Sequence, residues 1–334
     1  MLNVLSVTTP IFLLITLGFL TVRRGVLKPT EMPTLGRLVT SVLLPALIFA
    51  SLAPRKLDEI ILPAYLLVYA LASLLVFFGI LLFSLKVRKR DLTTSTLNAM
   101  ASSCSNSGYI GFPLAMALLA PVAPLALAMC MIVENLIILP LGLILSEWSQ
   151  QKGRPVLESV GRTFKLLAKS PISLSLAAGL LCSVLEVPLP EPLFKAVQMT
   201  AAASGAIALF TIGGILSGLS LSGMKGTIGD IAVPTIGKLV LHPMVVLMLL
   251  MLLPPFDPAL QVAAVAMACS PMMSIYPILA AKFGYDGTAA ATLLIATASS
   301  FFTISLAFWL FGASDFIHLG GTMLPHLFER AALP

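Results

Sequence analysis

Charge is what this 334-residue chain has least of. Asp, Glu, Lys and Arg together make up 10% of it, against about a quarter in a soluble globular protein. With 58% hydrophobic residues and a mean hydropathy of +1.04, that shortage excludes a water-solvated domain and marks an integral membrane protein. The only three histidines, His242, His318 and His326, are too scattered for a metal site. The four cysteines, Cys104, Cys130, Cys182 and Cys269, stand singly in apolar stretches without C-x-x-C spacing, and read as small core residues. A nucleotide-binding P-loop, a Gly-rich dinucleotide turn, an H-E-x-x-H helix and a G-x-S-x-G elbow are all missing, so an enzyme or a nucleotide-driven pump is not expected. The net charge of +6 does not point to nucleic acid, because the basic residues fall in short loops between apolar runs. The N-terminus lacks a basic n-region and a cleavage site, which makes the first apolar run a retained span.

What is present is apolar length. A bilayer-crossing helix needs about 20 apolar residues, and ten such runs are expected, at about 4–22, 33–53, 61–85, 93–119, 122–147, 170–188, 196–221, 231–254, 258–283 and 287–312. With ten spans, fifteen basic residues fall on one side, clustered at Arg23, Arg24, Lys28 and Arg37, at Lys86 to Arg90, and at Lys152 to Lys169. Only Arg55, Lys56, Lys195 and Arg330 fall on the other. This bias places both termini outside the cytoplasm of a bacterial plasma (inner) membrane. Lys238 lies inside the eighth span near its cytoplasmic end, where it is expected to snorkel.

The expected organisation is a first five-helix repeat over 1–147, a cytoplasmic amphipathic linker over 148–169, a second five-helix repeat over 170–312 and an extracytoplasmic tail over 313–334. In the linker, Val156, Leu157, Val160, Phe164 and Leu167 recur at helical spacing against Arg162, Lys165 and Lys169. Five spans on each side of it make the repeats inverted.

In the fourth span of each half, polar and helix-breaking residues interrupt the apolar run. The first break holds Ser105, Asn106, Ser107, Gly108, Tyr109, Gly111 and Pro113; the second holds Ser270, Pro271, Met272, Ser274, Tyr276 and Pro277. Setting Pro113 against Pro277 aligns Phe112 with Tyr276 and Asn106 with Ser270. Non-helical backbone at membrane depth is tolerated only inside protein or beside a water-filled cavity, and paired breaks mark a transporter binding site. Each restarted half-helix presents free N–H groups and the positive end of its dipole, which suits a carboxylate. Intramembrane ionisable residues are scarce. Glu134, followed by Asn135, is the candidate for proton coupling, with His242 a weaker one.

These residues resemble the auxin efflux carrier family in its bacterial branch. The resemblance rests on Leu44 to Phe49, on Asn106 to Leu114, on Leu239 to Pro243, and on the stretch from Cys269 to Ala280. It implies an all-α membrane protein of ten transmembrane helices in two inverted five-helix repeats, with broken fourth and ninth helices that cross. It also implies elevator-type alternating access carrying an organic anion such as an auxin-like or dicarboxylic acid. Where relatives tend to carry an asparagine in the second break, this chain has Met272, Met273 and Ser274. The expected partners are a small organic anion and membrane lipid, with a homodimer as the candidate assembly and no nucleic acid. No cofactor is expected beyond a coupling H+ or Na+. A sodium- or proton-coupled symporter or antiporter of related fold and a ligand-binding membrane sensor are the alternative functions.

Overall fold

The computed structural model describes residues 2–150, 160–161, 163–165, 168–218 and 228–311. Among them every regular element is a helix, and the one at Leu57–Ile60 is a single turn that stays unlabelled. In chain order we label the rest α1 (Leu2–Arg23), α2 (Pro29–Leu52), α3 (Pro63–Val87), α4 (Leu92–Ser103), α5 (Ser107–Leu119), α6 (Ala123–Gln150), α7 (Pro171–Val184), α8 (Glu191–Gly218), α9 (Ile228–Leu252), α10 (Pro258–Cys269), α11 (Tyr276–Ala281) and α12 (Asp286–Phe311). Six of them, α2, α3, α6, α8, α9 and α12, contain stretches long and apolar enough to cross a membrane. Shorter apolar helices occur at Thr9–Arg23 within α1, and at α5, α7 and α10. Most of the expected linker helix, with Val156 and Leu157, and the expected tail, with His318 and His326, lie outside the described residues.

Prolines set the local geometry. Pro63, Pro171 and Pro258 open their helices, where a missing N–H costs nothing. Asp257 caps α10 by accepting from the Leu260 N–H at 3.1 Å, and Asp91 caps α4 by accepting from the Thr94 N–H at 3.0 Å. Four wide π-turns, Val39–Leu43, Ser107–Gly111, Glu134–Ile138 and Gly237–Leu241, each end two residues before a proline: Pro45, Pro113, Pro140 and Pro243. The proline ring has no N–H for the carbonyl four residues back and crowds it. The chain relieves this by bonding to the fifth residue back, as the Phe112 N–H does to the Ser107 carbonyl.

Helices α1 and α8 approach until backbone meets backbone. A Cβ on Gly18 would lie 1.9 Å from the Phe210 carbonyl oxygen, and one on Gly213 would lie 1.8 Å from that of Ile15. Small residues allow such approach between membrane helices, where there is no hydrophobic force to pull them together.

At one end of the bundle a charge cluster ties separate elements. Arg90 grips Asp230 at the start of α9 with both prongs, at 2.9 and 2.7 Å, and Arg88 stands 3.5 Å from the same carboxylate. Next to them the Tyr285 hydroxyl donates to Asp91 at 3.2 Å, joining the turn before α12 to the cap of α4. Burial pushes the Asp91 carboxyl up, but hydrogen bonds from Thr94 and Tyr285 outweigh it and hold the group below its ordinary value. Asp230 is only 7% exposed, so removing its fork should cost about 2 kcal/mol. Arg90→Ala is therefore expected to lower the thermal midpoint of the purified protein, and Arg90→Lys to restore only part of it, because an ammonium cannot replace a bidentate guanidinium. A midpoint unchanged in Arg90→Ala would show that the pair adds nothing.

Candidate functional site

Both expected interruptions are present. The helix ends at Ser103, runs extended through Cys104, and restarts at Ser107. The second ends at Cys269, turns extended at Ser270, and restarts at Tyr276. The two breaks cross each other in the core. The Asn106 N–H donates to the Pro271 carbonyl at 2.7 Å, and Ser105 and Met272 pair as an isolated antiparallel bridge. Buried backbone that leaves a helix must find a partner, and here each break supplies it to the other. Gly111 lets the crossing close, since a Cβ there would meet the Met267 sulfur at 2.9 Å and the Ser270 hydroxyl at 3.4 Å.

A cavity of about 90 Å³ opens at the crossing. Of the expected site residues, Ser105, Asn106, Ser107, Gly108, Tyr109, Ser274, Glu134 and Asn135 line it. The others serve elsewhere. Ser270 donates its hydroxyl to the Met267 carbonyl of its own helix at 2.7 Å, and Pro271 and Met272 are buried in the backbone pairing. Tyr276 is buried outside the cavity, with Pro277 next to it. Pro113 lines a separate, larger and mainly apolar cavity of about 820 Å³, together with Arg55 and Gln198. Tyr109 donates its hydroxyl to the Gly36 carbonyl at 3.1 Å, tying α5 to α2. Thr40 of α2 and Ile172 of α7 also line the small cavity; in the sequence they look like ordinary residues of apolar spans.

One expectation gains a detail and one needs correction. Beside the amide end of the first break stands an acid of the chain itself, Glu134 of α6. One carboxylate oxygen accepts from the Ser105 N–H at 2.8 Å and from the Tyr69 hydroxyl at 3.5 Å; the other accepts from the Ser107 hydroxyl at 2.5 Å. The Ser105 N–H precedes α5 and the other two donors are side-chain hydroxyls, so a carboxylate of the chain itself stands beside the helix start, where the dipole favours it. Lys238 does not snorkel. It is fully buried, donating to the Ala268 carbonyl at 2.7 Å in the last turn of α10, with His242 Nδ1 at 2.8 Å on its other side. The reason is the π-turn before Pro243, which contains Lys238 and leaves its side chain against α10. A cation at the negative end of one broken helix and an acid at the positive end of the other offset both dipoles.

One polar group at the site is left over. The Asn106 side chain is 3% exposed, faces the cavity, and its amide nitrogen has no hydrogen-bond partner. A buried donor without an acceptor costs about 1–3 kcal/mol, a cost that an acceptor placed in the cavity would remove. Asn135, by contrast, is engaged with the Met131 carbonyl one turn back at 2.9 Å.

Residues 4–310 match the family model described as "Membrane transport protein". A protein of Rhizobium meliloti named "Putative malonate transporter" is 29% identical over 309 residues, covering 91% of this chain and 95% of that one. The "Uncharacterized transporter YfdV" of Escherichia coli K12 is 25% identical over 314 residues, covering 90% and 95%. This match runs through nearly the whole length and agrees with the auxin efflux carrier resemblance carried by the two breaks. The chain belongs to the membrane transport protein family, and it is a membrane transporter and not an enzyme.

Proposed function

We propose that this protein is a secondary carrier that moves a small organic anion, a dicarboxylate of about the size of malonate, through the crossing of its two broken helices. The observation that carries this reading is the Asn106 amide, a buried donor facing a cavity with nothing to bond. A carboxylate oxygen is the acceptor that suits it best, because a bond to a charged group is worth about 1.5–3 kcal/mol. Size narrows the cargo. The cavity is small, about 90 Å³ against about 820 Å³ for the apolar cavity that Pro113 lines, which favours a compact acid over a bicyclic auxin-like one. The name of the rhizobial relative points the same way.

Charge narrows the mechanism. The cavity is lined by Glu134 and by no lysine or arginine. A second anion beside that carboxylate needs a counter-charge, so the acid travels with a proton or a sodium ion. In this reading the two halves of the chain are inverted repeats, each contributing one broken helix, and the pair rises and falls as an elevator against the remaining helices. The basic bias of the loops orients the chain in a bacterial inner membrane with both termini outside.

The test is counterflow of labelled malonate in vesicles carrying the purified protein. Saturable exchange is expected, and Asn106→Ala should lower malonate affinity about 10- to 100-fold while the protein stays folded. Malonate binding with no exchange would replace the carrier by a ligand-binding sensor. Unchanged affinity in Asn106→Ala would remove Asn106 from the site.

A further inference from the structure

We propose that the proton accompanying the acid is carried by Lys238, paired with His242 behind the second break, and that Glu134 is a fixed charge. This deepens the carrier reading above, on which its coupling step rests.

The geometry begins with hydrogen counting. An ammonium has three donors, and in Lys238 two are used, one on the Ala268 carbonyl at 2.7 Å and one on His242 Nδ1 at 2.8 Å. The third proton can leave, and the remaining NH2 still makes both bonds. While it is bound, the proton can also sit on the ring, with Nδ1–H donating to the amine; the heavy atoms stay where they are and the pair keeps the same charge. On its other side His242 Nε2 meets the Ser73 hydroxyl at 3.1 Å. Lysine allows this chemistry and arginine does not, since a guanidinium stays charged in proteins.

The pair packs against a residue that reaches the cavity lining. Ser73 lies one turn from Tyr69 on α3, so the two share a face. The Tyr69 ring stands edge-on to His242, with centroids 5.6 Å apart, and its hydroxyl reaches Ser105 Oγ at 3.0 Å and Glu134 at 3.5 Å. Between the end of one broken helix and the start of the other the link is hydrogen bonds on either side of one ring contact, Tyr69 on His242. Tyr69 of α3 touches the pair, and the titratable groups near enough to act on it through charge are Cys104 beyond α4, Cys130 and Glu134 of α6, and Cys269 of α10. From residue 287 to 311, α12, which also packs on α9, has none. Among these groups Glu134 is the acid, and its carboxylate is already engaged by three donors, which leaves the exchangeable proton to the lysine.

The step balances simply. When the acid binds at Asn106, the amine lone pair of Lys238 takes one proton from water on that side, and an N–H bond forms. When the acid leaves on the other side, the same N–H breaks and the proton returns to water.

Two measurements on the full-length purified protein test this. In the first, without substrate, acid–base titration of the folded protein is compared with that of Lys238→Arg and Lys238→Met. Both variants are expected to exchange one proton fewer per chain; equal titration of wild type and a folded variant overturns the proposal. In the second, malonate is added to weakly buffered protein with a pH-indicating dye. Wild type is expected to take up a proton on binding, and Lys238→Arg to bind with that uptake lost. Uptake retained in Lys238→Arg overturns the proposal. If the first measurement succeeds and malonate neither binds nor shifts the dye in any form, the dicarboxylate reading fails while the proton site on Lys238 stands.

Discussion

Replacing Gly213 by alanine is expected to prevent this protein from accumulating as a folded, monodisperse species. The new methyl would sit 1.8 Å from the Ile15 carbonyl oxygen and 2.8 Å from the Phe19 nitrogen. Both are main-chain atoms of a helix and cannot swing aside as a side chain can. Gly18 makes the reciprocal approach to the Phe210 carbonyl, so α1 and α8 would have to part along the whole contact, losing packing on both sides of it. A cost of about 4 kcal/mol or more follows from such overpacking, enough to unfold a marginally stable chain. Gly79→Ala is the control: nothing lies within 4 Å of its added carbon, and in mid-helix alanine is the better residue. Size-exclusion profiles and thermal midpoints in detergent measure both. Wild-type behaviour of Gly213→Ala would mean that the two helices do not meet as described.

The second large effect is expected at Glu134. Changing it to leucine leaves the Ser105 N–H, the Ser107 hydroxyl and the Tyr69 hydroxyl without their acceptor. Each abandoned buried donor costs about 1–3 kcal/mol, and hydroxyls that turn to new partners recover part of it. We expect a net loss of about 3 kcal/mol and no malonate exchange. Glu134→Gln keeps one carbonyl oxygen for the Ser105 N–H, and should cost about 1 kcal/mol with measurable exchange left. The comparison that matters is between the variants, read as thermal midpoint and exchange rate together. Equal stability of Glu134→Leu and wild type would show that the acid does not hold the restart of α5.

Much of the crossing is legible in the amino-acid sequence. The polar runs at Ser105–Gly108 and Ser270–Ser274 predict interruptions because no apolar helix tolerates such clusters without reason, and both interruptions are found. Asn106 stands out by type and place, and it is the residue left with an open amide. The partners of these residues are not legible. Glu134 reaches Ser105 across 29 positions because the two helices pack together in the fold, and sequence periodicity does not report which helix lies beside which. Lys238 departs from expectation for a local reason: nearness to the end of a span suggests a side chain reaching for water, but a proline five residues later widens the turn and places it in the core. Tyr69 and Ser73 carry no signal in the sequence, since tyrosine and serine inside an apolar span are ordinary.

The joint between the two interrupted helices is fastened by an amide and a carbonyl of the main chain, Asn106 to Pro271. Such a fastening does not depend on which side chains flank it. Met272 and Met273 can therefore be exchanged without loosening the knot, and the residues around it are left at liberty to be retuned for a different cargo.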